Sequence, residues 1–523
     1  MKLHHMHIPP RFTRSLGLFA TLLAQVAPAQ ARAQAQTGIL SLSVTYSTLK
    51  NTVKPTGELK AQVDSLDTLI ASASKFGRTS ELRRLYAHSI TLLQKRPWTP
   101  EAEFTSALVV RSDRLVVDPA RPWTMRLEQI FSPSIALERS LTARVALRKR
   151  DGGNPRAPLV LVRELGLFDG VPRDLRDMPY AINANLQNVP DGSYVVTVEM
   201  SDSARMLGTA TVGIVVRNGL DASVLRLETA AAKQSEPLRS DLLFPIDRMR
   251  NVNLSRVALG TFNAARDFSA ADSLLTSVLA GKDPWRGRTG DLKRHYRLDA
   301  ADEIMPYRVY VPTAYSTKKP LPLIIALHGL GATEDSFFES YGGTLPKLAE
   351  QRGYIVAAPL GYRVDGGYGV ALGGGNSDPA VVRSRALSEQ DVLEVLAAVR
   401  KRYAVDDKRI YLMGHSMGAI GTWAIAAKTP TQWSALGVFS GFGVASTAKT
   451  IGNIPQFVVH GDADPTVPVG GSRVMVAALR NVGAELQYIE VPGGNHTNVV
   501  EPNFSAMLDF FDRFPSRQVT PRR

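Results

Sequence analysis

Apolar positions change their spacing several times along this chain. Residues 55–97 place Leu59, Val63, Leu66, Leu69 and Ile70, then Leu82, Leu85, Ile90, Leu92 and Leu93, at the three-to-four spacing of amphipathic helices. Gly77-Arg78-Thr79 interrupts the run, and Pro97 and Pro100 close it, so the stretch predicts a helical hairpin. From about 104 to 218 the period becomes two. Strands are expected at Ala107–Val110, Arg144–Leu147, Leu159–Arg163, Tyr194–Met200 and Gly208–Val216. Turn signals such as Asp151-Gly152-Gly153-Asn154 and Asp191-Gly192-Ser193 separate them. The pattern predicts one β-sandwich of immunoglobulin-like size, and no internal repeat points to a propeller. Helical spacing returns over 220–284 with Leu225, Leu227, Leu238, Leu242, Leu274 and Leu275, and Lys282–Gly290 reads as a boundary.

Beyond it, near-continuous apolar runs alternate with helical ones. Strands are expected at Tyr307–Val311, Leu323–Leu327, Ile355–Ala358, Ile410–Met413, Ala435–Phe439, Phe457–Val459 and Leu486–Val491. Helices fit Leu345–Gln351, Gln390–Tyr403, Met417–Lys428, Ser472–Asn481 and Val499–Phe514, with Ser388 as N-cap of the second and Asp391 three residues on. Apolar strands between helices predict an α/β unit with a mostly parallel, buried sheet. The expected division is 1–35, a signal peptide; 36–102, helical; 103–218, a sandwich; 219–288, a helical linker; and 289–523, the α/β unit.

The first segment has its own chemistry. Lys2, Arg11 and Arg14 precede the apolar stretch Leu16–Ala27, and small-residue sites follow at Ala29-Gln30-Ala31, Ala31-Arg32-Ala33 and Ala33-Gln34-Ala35. This is the pattern of a secretory signal, and its apolar core is short of the ~20 residues of a membrane span. Export to a periplasm or the medium is expected, with no integral span after signal removal. The net charge of +14 divides as +4 over 1–35, +8 over 36–290 and +2 over 291–523. The excess is dispersed and lacks a nucleic-acid-binding motif, so no nucleic-acid partner is expected. With no cysteine in 523 residues, disulfides, thiolate nucleophiles and Cys-ligated metals are excluded. The sequence offers no metal constellation and no phosphate or dinucleotide loop, so no cofactor is expected.

One motif sits where its chemistry requires. Ile410-Tyr411-Leu412-Met413 runs into Gly414-His415-Ser416-Met417-Gly418, and a helix-forming run follows. G-x-S-x-G between strand and helix presents a serine hydroxyl on a sharp turn at a helix N-terminus, so Ser416 is the candidate nucleophile. A serine needs a base and the base an orienting acid. Two histidines follow Ser416. His496 lies in a loop after the last strand and is assigned as base; His460 ends a strand and reads as structural. Between the strand and His496, Asp464 is favoured as acid because Pro465 and Pro468 stiffen its loop. Asp462 is expected to brace that loop through backbone hydrogen bonds. The oxyanion donors are assigned to the N–H groups of Met417 and of Leu330, in His328-Gly329-Leu330-Gly331, with Gly329 as the rival and His328 as structural. Gly361–Ser377 is glycine-rich and carries Tyr362, Arg363 and Tyr368, expected as an acyl- or aryl-binding lip. Trp423 and Trp433 read as core.

These pieces resemble the α/β-hydrolase superfamily. Pro306–Pro312, Leu327-His328-Gly329, Glu389–Val392, the Ser416 pentapeptide, His460–Asp464 and Gly494-Asn495-His496 look like secreted esterases related to poly(3-hydroxyalkanoate) depolymerases and feruloyl esterases, and equally like the prolyl-oligopeptidase catalytic domain. The resemblance covers the last ~230 residues and implies a triad of Ser416, Asp464 and His496. The leading expectation is an exported serine hydrolase of small-molecule or polymer-linked carboxylic esters. A peptidase or amidase with the same triad, and a cell-surface binding protein with an auxiliary hydrolase domain, are the alternatives. No oligomeric state follows from the sequence.

Overall fold

A computed structural model describes residues 38–39, 42–134, 141–150, 157–202, 205–372 and 378–514. The signal-like segment, the Asp151–Asn154 turn and the end of the Gly361–Ser377 loop lie outside them. Helices α1 (Gly57–Lys75) and α2 (Thr79–Leu93) bury Val63, Leu66, Ile70, Leu82, Leu85 and Leu93 against each other, and Tyr46 joins them from the helical residues 42–53. Gly77, at φ 63°, makes the reversal that a Cβ would strain. Helix α3 (Pro100–Ala107) starts on Thr99, whose hydroxyl accepts the Ala102 N–H, and carries Pro at its first turn.

Two sheets then share one core. Strands β1 (Leu108–Ser112), β3 (Trp123–Gln129) and β6 (Tyr180–Ala184) form the smaller. Strands β2 (Val116–Val117), β8 (Arg205–Val216), β7 (Gly192–Asp202), β4 (Leu141–Arg150) and β5 (Leu159–Val171) form the larger, in that order. Trp123, Met125 and Leu127 meet Val145, Leu147, Val196 and Val198 inside. Strands β3 and β6 were not among the sequence expectations, although β3 alternates Trp, Met and Leu inward with Thr, Arg and Glu outward.

Helices α4 (Leu220–Ala231), α5 (Leu238–Asn253) and α6 (Ala264–Leu279) are bound to the next sheet rather than strung between units. Asp241 of α5, fully buried, accepts from the Arg294 guanidinium at 3.0 Å and the His295 N–H at 3.0 Å; Asp247 accepts the Ile304 N–H at 3.0 Å. Arg266 of α6 pairs with Asp335 at 2.8 Å.

The C-terminal sheet has the order β16-β15-β14-β13-β11-β12-β10-β9. Its strands are β9 (Gly290–Leu298), β10 (Glu303–Val311), β11 (Leu321–Leu327), β12 (Ile355–Pro359), β13 (Val405–His415), β14 (Ala435–Phe439), β15 (Gln456–Gly461) and β16 (Leu486–Val491). The β9–β10 and β10–β12 pairs are antiparallel and all others parallel. Successive residues feed opposite layers. Ile325 and Leu412 pack under α8 (Pro379–Arg402), α9 (Met417–Lys428) and α10 (Gly470–Asn481), and Ile324 and Tyr411 under α7 (Thr344–Arg352) and α11 (Phe504–Asp512). Burying both faces explains the unbroken apolar runs.

Helix α8 begins earlier than expected. Asp378 caps it by accepting the Ala380 N–H at 2.8 Å, and Pro379 fills the first turn. Ser388 is therefore mid-helix and buried, its hydroxyl accepting the Tyr368 N–H at 3.0 Å. The early turns mix Ala380, Val381 and Val382 with Arg383, Ser384 and Arg385 and none of them is buried, so they show no apolar stripe while the Asp-Pro start signal is strong. Among the described residues no helix is long and apolar enough to cross a membrane.

Candidate active site

Strands β11, β13, β15 and β16 run parallel, so the loops at their C-terminal ends converge on one edge of the sheet. Ser416 stands between β13 and α9 at φ 58°, ψ −118°. A non-glycine residue held there costs about 1–3 kcal/mol. Its surroundings impose it. The Ser416 N–H donates to Phe439 O at 2.9 Å, and the Ile420 N–H returns to Ser416 O at 3.1 Å. The flanking glycines are needed for contact, not for φ. A Cβ on Gly418 would lie 1.9 Å from Leu327 O, and one on Gly414 2.2 Å from Gly418 O.

His496 Nδ1 lies 2.7 Å from Asp464 Oδ2. Oδ1 of the same carboxylate accepts the Thr466 and Val467 N–H groups at 2.8 and 2.9 Å. Burial alone would raise the Asp464 carboxyl, but hydrogen bonds from His460 and His496, the His496 charge and the Val467 N–H hold it well below the usual carboxylate range. It is the ionised partner of His496 at neutral pH. His460 is more than a strand end. Its Nε2 stands 2.9 Å from Val467 O and 3.2 Å from Asp464 Oδ2, and its Nδ1 2.7 Å from Ser472 Oγ. Asp462 accepts the Gly493 N–H at 2.7 Å, joining the acid loop to the base loop.

On the turn after β11, the Gly331 N–H donates to Val364 O at 2.8 Å and the Ala332 N–H to Gly329 O at 3.1 Å. The Gly329 and Leu330 amides have no backbone partner among the described residues. The buried His328 ring reaches Gly329 O at 2.8 Å and Leu360 O at 2.6 Å, which fixes this turn.

The expected lip is not a lip. Tyr368 is fully buried beneath His328, whose ring it meets edge-on at 5.7 Å. Tyr362 is also buried, and the Arg363 guanidinium donates to the buried Glu303 at 2.7 and 3.0 Å while stacking on Tyr362. The glycine-rich backbone folds these side chains inward and ties the segment to β10. Trp423 and Trp433 are core, as read.

Other residues carry no site role in the sequence reading. Asp391 is buried, accepting the Tyr296 O–H at 2.5 Å and the Tyr362 N–H at 2.8 Å; burial pushes its carboxyl up to about 6 against these bonds. The His415 ring, next to the nucleophile, lies between Tyr341 OH (2.9 Å) and His496 O (2.8 Å). Burial and then neighbouring His496 lower it to about 4, so it is neutral at pH 7. Phe442 and Val444, on the loop after β14, are exposed apolar side chains at this edge. From the other end of the chain, Asn51 Nδ2 donates to Pro465 O at 2.7 Å and Thr48 Oγ1 stands 3.4 Å from Thr466 Oγ1. Among the described residues no cluster of His, Asp and Glu is arranged to hold a metal.

Residues 299–479 match a family described as putative esterase. A feruloyl esterase B of Neurospora crassa is 33% identical over 149 residues, 28% of this chain and 47% of that protein. A bifunctional acetylxylan esterase/xylanase of Neocallimastix patriciarum is 28% identical over 156 residues, 30% of this chain and 21% of that protein. The chain thus spans about half the length of the first and about a fifth of the second. A solved ferulic acid esterase from Anaeromyces mucronatus aligns over 44% of this chain and 90% of its own, with 20% identity and a TM-score of 0.34. The sequence matches relate the C-terminal part to an esterase-like α/β-hydrolase superfamily.

Proposed function

We propose that the protein is a carboxylic ester hydrolase working through an acyl-enzyme on Ser416. His496 takes the Ser416 proton as the hydroxyl attacks the ester carbonyl, then returns it to the leaving alcohol. Asp464 holds the proton on His496 Nδ1, which leaves Nε2 free to accept, and stabilises the ring once it is charged. The Met417 and Leu330 N–H groups bind the oxyanion. Water, activated by the same histidine, releases the acid. The observation that carries this reading is a strained serine at a helix N-terminus on the same sheet edge as the 2.7 Å His496–Asp464 pair.

The substrate class proposed is an acyl or aryl ester on a small alcohol or a polymer, which the relatives' names favour. Phe442 and Val444 offer the apolar surface for its acyl part. Residues 36–218 are proposed as an accessory region and 1–35 as an export signal, a reading that N-terminal sequencing of the mature protein tests.

A fluorophosphonate probe should add one phosphonyl mass to the intact protein, on Ser416, and none to Ser416→Ala. Hydrolysis of aryl esters should exceed that of aminoacyl amides. An unmodified mass after probe treatment of the native protein, or amide turnover as fast as ester turnover, would overturn the proposal.

A further inference from the structure

We propose that His415, held by Tyr341, is a positioning residue for the general base His496; the inference rests on the ester-hydrolase reading above. Its Nε2 faces a main-chain carbonyl, His496 O, at 2.8 Å, and a carbonyl only accepts, so Nε2 carries the proton. A neutral ring then has a bare Nδ1. The Tyr341 hydroxyl, 2.9 Å away, donates to it. One tautomer of His415 therefore satisfies both neighbours: the His496 carbonyl selects it, and the Tyr341 hydroxyl, which can donate, holds it. The lowered His415 basicity agrees with a ring that stays neutral.

The relay joins three loops that the reaction needs in register. Tyr341 belongs to the segment after β11, which also carries the proposed oxyanion donor. His415 is the residue before the nucleophile. His496 is on the loop after β16. The His415 and His496 rings lie tilted at 48° with their centroids 4.8 Å apart, so the neutral ring also flanks the base. Tyr341 is itself built in. It has φ 52°, a backbone strain that its neighbours sustain, and its ring packs on Phe337 and Phe504. Neither His415 nor Tyr341 need touch substrate; both act through the place of His496.

The test compares Tyr341→Phe, His415→Gln and His415→Leu with the native protein. Active sites are counted by fluorophosphonate titration, so misfolded molecules drop out of the rate. Tyr341→Phe keeps the packing and removes one O–H, and should lower kcat about fivefold with KM unchanged. His415→Leu keeps bulk without a donor and should lower kcat about thirtyfold or more. His415→Gln, whose amide N–H can reach the same carbonyl, should recover part of that loss. The rate of probe labelling at Ser416 should fall in parallel with kcat. Equal kcat per titrated site in all four proteins would overturn the proposal, as would a raised KM at constant kcat, which would make His415 a substrate contact. A native protein that takes no probe would instead overturn the ester-hydrolase reading, and this one with it.

Discussion

Asp464→Asn puts the most structural detail at risk. The native carboxylate has two distinct faces: Oδ1 accepts two backbone N–H groups, while Oδ2 faces His496 Nδ1 at 2.7 Å and His460 Nε2 at 3.2 Å. An asparagine must keep its oxygen on the backbone side, because Thr466 and Val467 can only donate there. Its NH2 is then turned toward His496. That forces Nδ1 to accept and moves the ring proton to Nε2, the nitrogen that has to receive the Ser416 proton. The loop bonds survive, so folding stability should fall by only about 1–2 kcal/mol, for the loss of one charge-assisted bond. The wrong tautomer should lower kcat by about 10³–10⁴, or about 4–5.5 kcal/mol of barrier. Asp464→Ala removes both faces and should cost clearly more stability for a similar loss of rate. Aryl-ester turnover per folded molecule, with denaturant unfolding on the same samples, measures both. An Asp464→Asn enzyme within tenfold of native kcat and equally stable would refute the tautomer argument.

Further outcomes follow from the same geometry. Gly418→Ala should abolish folding of the C-terminal unit or cost at least about 4 kcal/mol, since its Cβ would meet Leu327 O at 1.9 Å; soluble yield and thermal melting measure it. Asp241→Ala should destabilise the protein by about 3–5 kcal/mol by leaving buried Arg294 unpaired, read from urea unfolding. Asp391 holds its proton more tightly when folded, at about 6, so its contribution to stability is present at acid pH and is lost as pH rises through 6. His415, lowered to about 4, works the other way, its contribution being lost as pH falls from the ordinary histidine range through 4. In unfolding series from pH 4 to 7, Asp391→Asn should remove a falling slope of about 2–3 kcal/mol in total and His415→Leu a rising one. Phe442→Ala should raise KM for aromatic-acid esters severalfold and leave acetyl esters nearly unchanged, as steady-state kinetics would show.

Local signals read well where one residue type settles a local geometry. The strand–turn–helix around Ser416 announces itself through two glycines that no side chain can replace, and α9 has its expected bounds. Ser416, Asp464 and His496 could be picked out as candidates because each stands on a loop that follows a strand, and the structure brings His496 within 2.7 Å of Asp464. Features that depend on a distant partner were hidden. Nothing near Arg363 reveals that Glu303 will accept its guanidinium and draw the segment inward. Nothing in Gly414-His415 points to Tyr341, 74 residues earlier. Helices α4–α6 looked like a linker because buried Asp241 and half-buried Asp247 read as surface until Arg294 and the Ile304 N–H are seen beside them. Strand β3 is a different case: Trp123, Met125 and Leu127 alternate with Thr124, Arg126 and Glu128 across its 7 residues, so its signal is present in the sequence.

The bond from Asn51 to Pro465 ties together positions 414 residues apart. Synthesis separates these partners in time, because Asn51 is made 414 residues before Pro465. Closing so long a span adds little entropy beyond a moderately long one, since each doubling costs only about 0.6 kcal/mol, but it cannot happen until the far end exists. Contacts of such sequence separation form slowly. The loop that carries Asp464 therefore gains its outer tie only after Pro465 has been made, and no translation product that stops before it can reproduce it.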